Sequence, residues 1–166
     1  MLKESAPDAE LMFISGNHDS AARLNVFRSV LGKQKVHMIG QPPLQPEETI
    51  EKVVLQDAWG DVAFYLLPFV KPSMVKNIVG TDENGNNLSY NETLHRLLGR
   101  ELPDGTGRSV LVSHQFFVPA DLDPDQVERA DSEIRTVGNI DEVQAGILQH
   151  FDYAALGHIH RPMRAG

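Results

Sequence analysis

The chain contains no cysteine, and it has fewer basic than acidic residues. The lack of cysteine excludes a disulfide framework, a zinc-thiolate site and a thiol nucleophile, and it suits a reducing compartment. Lysine and arginine number 15 against 23 aspartate and glutamate, which gives a formal charge of −8. This balance argues against a protein whose whole surface binds nucleic acid through counterion release, so any such contact must be local.

Long hydrophobic runs are missing as well. The most apolar stretch, 62–70, is interrupted by Pro68 and is too short to span a bilayer. Residues 1–7 lack the apolar core of a secretion signal, so we expect a soluble, cytoplasmic protein. With 166 residues, of which 41% are hydrophobic, the chain can form one sizeable core and about one domain.

Strand and helix patterns alternate along the chain. Short apolar runs predict strands at 11–15, 36–39, 109–113, 134–137 and 153–156, and a hairpin of 50–56 with 61–67. Helical spacing predicts helices at 21–31, 74–79, 92–98 and 143–150. Polar or proline-containing segments predict loops at 41–48, 81–89 and 118–131. This alternation indicates a layered α/β domain.

Three of the predicted strands are followed at once by histidine-bearing segments. These segments are Gly16-Asn17-His18-Asp19, Ser113-His114-Gln115 and Gly157-His158-Ile159-His160. Ligands in α/β domains collect at the carboxyl ends of strands. We therefore expect one edge of a sheet to bring together the side chains of Asn17, His18, His114, His158 and His160.

These residue types suit a metal site beside a phosphate. Imidazole nitrogens bind manganese, iron or zinc, and an amide oxygen such as that of Asn17 adds a ligand without adding charge. His18 can give or take a proton near neutral pH. His158 and His160 stand two residues apart, so both project to the same side of an extended segment. The set is therefore suited to one metal ion or a close pair.

Simpler interpretations stay open for several residues. The segment that carries His158 and His160 could be a surface loop, and Asp19 could either orient His18 or cap the helix that starts near Ala21. Three further histidines lie inside predicted elements, where we expect structural roles: His37, His95 and His150.

An acidic segment near the middle of the chain offers a second metal hypothesis. Asp121, Asp123 and Asp125 alternate as in a calcium-binding loop. They lack the glycine and the distal glutamate of an EF-hand. A solvated acidic loop is therefore the better interpretation.

The three histidine-bearing segments resemble, in order, the last three motifs of the calcineurin-like metallophosphoesterases. Their surroundings narrow the resemblance to the SbcD-type DNA exonuclease subunits. The similar segments are Asn17-His18-Asp19-Ser20, Leu67-Pro68-Phe69, Asp131-Ser132-Glu133 with Val137-Gly138, and the run from Asp152 to Pro162. The resemblance covers nearly the whole chain.

This resemblance implies a layered metallophosphoesterase fold, a β-sandwich flanked by helices. It implies that Asn17, His114 and His158 ligate one divalent metal ion, that His160 ligates a second, and that His18 lies beside the scissile phosphate. Manganese is the usual activating ion in the family. The resemblance also implies DNA as substrate, an SbcC-type ATPase as partner in repair and recombination, and a homodimer in the full-length protein.

The chain departs from the family pattern at both ends. Residues 1–15 contain neither an Asp-x-His nor a Gly-Asp-x-x-Asp motif, and no capping domain follows His160. We therefore expect 1–166 to be an N-terminally incomplete nuclease domain with uncovered strand edges, weak binding of one metal and little or no activity. Two other functions stay open: a metallophosphoesterase for nucleotides or phosphoproteins, and a non-catalytic interaction module.

Overall fold

The computed structural model describes residues 2–119, 141–160 and 162. Its strands are β1 (Leu11–Ile14), β2 (Val36–Ile39), β3 (Glu51–Asp57), β4 (Gly60–Leu67), β5 (Arg108–Ser113), β6 (Phe116–Val118), β7 (Glu142–Gln144) and β8 (Tyr153–Leu156). Its α-helices are α1 (Leu2–Ser5), α2 (Ala21–Val26), α3 (Arg28–Leu31), α4 (Pro72–Val79) and α5 (Tyr90–Gly99). Short 3-10 helices span Gly32–Gln34 and Ala145–His150. The α/β class expected from the sequence is confirmed.

The strands form one larger and two smaller sheets. In the larger sheet the order is β3-β4-β5-β8, with β3 and β4 antiparallel and the other neighbours parallel. The hairpin predicted around Trp59 is β3-β4, and its register pairs Asp57 with Gly60. β1 pairs with β2 in parallel, and β6 pairs with β7 in parallel. Among the helices of the described residues, none has both the length and the apolar character needed to cross a bilayer.

The two faces of the larger sheet bury different clusters of apolar side chains. Leu67 and Leu111 point towards α4 and α5 and are fully buried in the main core. Leu66 and Val112, their neighbours in the chain, point the other way and pack against side chains of β1 and β2. A fully buried aliphatic side chain contributes about 1.5–3 kcal/mol. Side chains alternate between the two faces of each strand. One face of the larger sheet therefore packs on the sheet of β1 and β2, and the other packs on α4 and α5.

Helices α4 and α5 each begin with a residue that favours a helix start. Pro72 occupies the first turn of α4, where its missing N–H costs nothing. At α5, the Ser89 hydroxyl accepts a hydrogen bond of 3.1 Å from the Glu92 N–H and so caps the helix. Helix α5 then buries Leu94, Leu97 and Leu98 against the larger sheet. The helix predicted at 92–98 is confirmed, and it extends from Tyr90 to Gly99.

Replacing Thr93 by valine should stabilise the fold. Thr93 of α5 is fully buried, and its hydroxyl has no hydrogen-bond partner among the described residues. Valine keeps the branched shape and removes the buried hydroxyl, so we expect a gain of about 1 kcal/mol in the free energy of unfolding. Urea denaturation measures it. Thr93→Ser, which keeps the hydroxyl and loses a methyl group, should lose about 1 kcal/mol, and a Thr93→Val protein less stable than the native one would contradict the expectation.

The helix predicted at 21–31 is interrupted. It divides into α2 and α3 at Phe27, and neither piece buries a side chain. Val26, Phe27 and Val30 are 72%, 56% and 62% exposed. Their apolar spacing suggested a helix face that packs on the core, but the core clusters lie elsewhere. Spacing alone could not tell a buried apolar face from an exposed one.

Two expectations near the C-terminal half of the chain were wrong. Residues 116–118, the last of them assigned to a loop, form strand β6, whose side chains are all buried. The helix predicted at 143–150 begins as strand β7 and continues as a 3-10 helix, because 142–144 pair with β6. The strand predicted at 134–137, the acidic aspartates 121–125 and the stretch 131–138 lie outside the described residues.

Candidate metal centre

Three strand ends meet at the candidate site, but they belong to two sheets. β5 and β8 are parallel neighbours, and the Gly157 N–H donates to the Ser113 carbonyl oxygen at 2.9 Å. β1 lies in the other sheet, and Ser15 at its end accepts from the Phe69 N–H at 3.0 Å. The prediction that a single sheet edge holds the site was therefore wrong. The side chains still converge, because the two sheets are packed with these ends together.

The closest polar contact of the site joins Asn17 and His114. The Nε2 atom of His114 lies 3.1 Å from the Oδ1 atom of Asn17, although the residues are far apart in the chain. Asn17 is exposed on the turn after β1, whereas His114 is half-buried at the end of β5. The imidazole N–H donates to the amide oxygen in this arrangement. These two predicted ligands are thus brought together.

Two glycines make room for the His114 imidazole. A Cβ atom on Gly16 would lie 2.8 Å from the Cε1 atom of His114, and one on Gly157 would lie 2.7 Å from its Nδ1 atom. Carbon atoms in contact are normally about 3.5–4.0 Å apart, so neither position can carry a side chain while the ring stays in place. The His114 imidazole therefore occupies the space where a side chain at Gly157 would lie.

His158 lies against His114 with an unusual main-chain conformation. The centroids of the two imidazoles are 5.4 Å apart and the rings are perpendicular. His158 has a φ of 80°, in the left-handed region. β8 ends at Leu156 and His158 has a positive φ, so 157–160 is not the extended segment from which the projection of His158 and His160 to one side was expected. A left-handed residue turns the chain after the strand, and the two-residue period no longer applies.

The pKa of His114 is affected by the other histidines of the predicted site. Burial is the main cause that lowers the pKa of His114, and the positive charges of protonated His158, His160 and His18 lower it further, while Asp19 opposes them. A lowered pKa keeps the imidazole of His114 neutral at physiological pH, which is the form that binds a metal ion. His18 and His160 are both exposed. Direct contacts join Asn17, His114 and His158, and His18 and His160 act on His114 electrostatically. We call these five residues the strand-end cluster: Asn17, His18, His114, His158 and His160.

Asp19 has a role that the sequence did not suggest. Its Oδ2 atom accepts a hydrogen bond of 2.7 Å from the Gly16 N–H and so closes the turn that carries Asn17. Ser20, rather than Asp19, occupies the N-cap of α2, and no side chain caps that helix end. The capping role weighed for Asp19 is therefore not observed. A carboxylate that accepts from the main chain fixes its own turn instead.

The distance between Asn17 Oδ1 and His114 Nε2 suits two ligand atoms of one cation. Ligands about 2.1 Å from a metal ion and at right angles to each other are about 3.0 Å apart. The 3.1 Å between Asn17 Oδ1 and His114 Nε2 matches this value, so the pair fits one edge of a coordination shell. Within residues 2–119, 141–160 and 162, no three His, Cys, Asp or Glu side chains are placed around a common ion position.

Two aromatic residues of the site were missed by sequence reasoning. Phe69 stacks on His158 and Phe116 contacts the same imidazole from another direction. Phe69 follows the carboxyl end of β4, which pairs in parallel with β5. Its position just after a strand could have identified it as a site residue, but only polar residues at strand ends were considered.

The remaining histidines lie away from the cluster. His37 on β2 forms an ion pair with Glu10, the residue before β1, with 2.9 Å between their side-chain atoms. His95 belongs to α5, and His150 ends a 3-10 helix. These positions agree with the structural roles expected for them.

Comparison with known families does not identify the chain. No family model matches it. The motifs at 16–19, 113–115 and 157–160 remain a resemblance, and the chemical interpretation depends on the geometry of the strand-end cluster.

Proposed function

We propose that the chain is the later part of a metal-dependent phosphodiesterase domain that hydrolyses DNA, of the SbcD type. The observation that carries the proposal is the 3.1 Å contact between Asn17 Oδ1 and His114 Nε2, with His158 against the same imidazole. Three segments far apart in the sequence supply these side chains. A histidine that binds a metal ion is held in one orientation by its surroundings, as Gly16 and Gly157 enclose the His114 ring here.

The architecture supports the same proposal. Two sheets are packed through Leu66 and its neighbours, and α4 and α5 cover the outer face of the larger sheet. This is the arrangement expected of a metallophosphoesterase β-sandwich flanked by helices. We propose that fold for the chain, with the nuclease domain incomplete at its N-terminal side.

Each residue of the cluster has a role in the proposal. Asn17, His114 and His158 hold one divalent metal ion, Mn²⁺ by family resemblance, and His160 holds a second. A cation bound there supplies Lewis acidity, which offsets the charge on the phosphate oxygens. His18 is exposed beside this position and protonates the departing sugar oxygen. For Nε2 of the neutral His114 to bind the metal ion, the ring proton has to lie on Nδ1, so metal binding replaces the hydrogen bond to Asn17 Oδ1.

The partners of the protein follow from the same proposal. DNA is the substrate, and the formal charge of −8 confines its contact to the metal site. An SbcC-type ATPase is the proposed protein partner. The exposed side chains of Val26, Phe27 and Val30 on α2 and α3 support the proposed homodimer, because apolar side chains grouped on a surface often mark an interface.

Metal titration tests the proposal. We expect the chain to bind one Mn²⁺ weakly and to cleave duplex DNA poorly, because it provides three protein ligands for one site and one for the other. Asn17→Ala and His114→Ala should weaken Mn²⁺ binding about tenfold or more, since removing partners in a metal site has effects of that size. Calorimetry or electron paramagnetic resonance measures the binding. His150→Ala, far from the cluster, is the matched control.

The results also separate the other candidate functions. Mn²⁺ binding that is unchanged in Asn17→Ala and His114→Ala would contradict the proposed site and favour a non-catalytic interaction module. Cleavage of a small phosphodiester such as bis-p-nitrophenyl phosphate in preference to duplex DNA would favour a nucleotide or phosphoprotein substrate. Strong Mn²⁺-dependent cleavage of DNA, abolished by His18→Ala, would contradict only the low activity expected of this chain.

A further inference from the structure

One aromatic residue contacts all three segments of the strand-end cluster. The ring of Phe69 is nearly parallel to the His158 imidazole, with an interplanar angle of 7° and 6.3 Å between centroids. It meets the His114 imidazole edge-on at 6.4 Å. Its main-chain N–H donates to the carbonyl oxygen of Ser15, two residues before Asn17. Phe69 thus links the ends of β1, β5 and β8.

The conformation of His158 needs such support. A φ of 80° lies in a region that residues with a side chain rarely adopt. A strained residue of this kind persists only where its surroundings hold it. Phe69 lies parallel to the imidazole in an offset contact, and Phe116 contacts the imidazole with 5.8 Å between centroids. Offset and edge-on ring contacts at these distances are favourable.

The ring of Phe69 is itself held from behind. Tyr90, the first residue of α5, contacts it with 6.5 Å between centroids. Phe69 follows β4, a strand that is paired on both sides, and its own N–H donates to the Ser15 carbonyl oxygen. The main core therefore fixes the position of the Phe69 ring. The ring in turn restricts the positions of the two imidazoles that it contacts.

We propose that Phe69 is the positioning residue of the strand-end cluster. Its ring sets the orientation of the His114 and His158 imidazoles, and its N–H sets the distance of the Asn17 turn from them. This concerns the geometry of the cluster and goes beyond the proposed hydrolysis, since no atom of Phe69 contacts a reacting group. Only the metal-binding measurement below rests on the proposed function.

Nuclear magnetic resonance of the imidazoles tests the proposal on the full chain. We expect Phe69→Leu to weaken the nuclear Overhauser effects between the His114 ring protons and the α-protons of Gly16 and Gly157. The ¹⁵N chemical shifts of the His114 ring nitrogens should then report a mixture of tautomers. The loss of the Phe69 ring current alone would not produce this change. Phe69→Tyr, which keeps the ring, should restore both signals. Phe64→Leu, on the opposite face of β4, is the matched control and should leave them unchanged.

The outcomes are separable. Native Overhauser effects and a native tautomer in Phe69→Leu would overturn the proposal, and Phe69→Met provides the same test if the leucine variant does not fold. Loss of the effects in Phe69→Leu with recovery in Phe69→Tyr supports it. We also expect Mn²⁺ affinity to fall about tenfold in Phe69→Leu. If the native chain binds no Mn²⁺ while the imidazole results hold, the proposed function fails and the positioning role stands.

Discussion

Gly157→Ala is expected to expel the His114 imidazole from its position and to weaken Mn²⁺ binding about tenfold or more. The new methyl carbon would lie 2.7 Å from the Nδ1 atom of His114 and 3.4 Å from its Cε1 atom. On its other side the ring faces the main chain of Gly16, where an added Cβ would lie 2.8 Å from Cε1. The imidazole must therefore rotate away and lose its contact with the Oδ1 atom of Asn17.

The effect should be steric and local. Gly157 does not have a positive φ, so alanine introduces no main-chain strain there. Overpacking at a half-buried position costs about 1–3 kcal/mol of folding free energy. Gly146→Ala is the matched control, because its Cβ would meet nothing within 4 Å. Histidine side-chain spectra and a Mn²⁺ titration of both variants measure the difference.

Gly16→Ala provides an independent check from the other side of the ring. Its Cβ would lie 2.8 Å from the Cε1 atom and 2.9 Å from the Nε2 atom of His114. The same loss of metal affinity is expected, because Nε2 is the atom that faces Asn17. If both alanine variants bind Mn²⁺ as the native chain does, the imidazole is not a ligand at this position.

Gly40→Ala should produce the largest loss of stability, about 3 kcal/mol or more. A Cβ atom there would lie 2.2 Å from the carbonyl oxygen of Ala21 and 2.7 Å from the main-chain nitrogen of Asn25. Both neighbours belong to the main chain of α2, so no side-chain rotation relieves the overlap. The helix has to move away from the end of β2. The carbonyl of Gly40 also accepts a buried hydrogen bond of 2.7 Å from the Ser15 hydroxyl, which that movement would strain.

Gly32→Ala is the matched control for this experiment. Gly32 has helical dihedral angles, with φ −57° and ψ −33°, and its Cβ would meet nothing within 4 Å. Alanine at a helical position should stabilise the fold by about 0.5–1 kcal/mol, so the two variants should change stability in opposite directions. Urea denaturation compares them. A Gly40→Ala protein within about 1 kcal/mol of the native one would contradict the tight contact between β2 and α2.

The sequence predicted the local elements of the site well. Apolar runs at 11–15, 109–113 and 153–156 correspond to β1, β5 and β8. Each run is short, bounded by turn residues and rich in side chains that favour strands, and such information is contained in neighbouring residues. For the same reason the hairpin β3-β4 was predicted with nearly correct bounds. The convergence of Asn17 and His114 was predicted because both follow strands directly.

The errors concern contacts between distant residues. β6 and β7 owe their strand character to pairing with each other, so a window around 143–150 could not reveal it. The helix at 21–31 shows the apolar spacing of a core helix but exposes Phe27 at its break. Propensity is a weak guide wherever tertiary partners decide the outcome.

The sequence by itself determined the strands that carry the site, β1, β5 and β8, and the polar side chains at their ends. Only the tertiary structure decided that β1 belongs to a second sheet, that Gly16 and Gly157 enclose an imidazole, and that His158 turns left-handed against Phe69. Strand formation depends on residues next to one another, whereas these three features depend on main chain and rings brought together from separate parts of the chain. Their distances arise from the packing of two sheets, which no local pattern encodes.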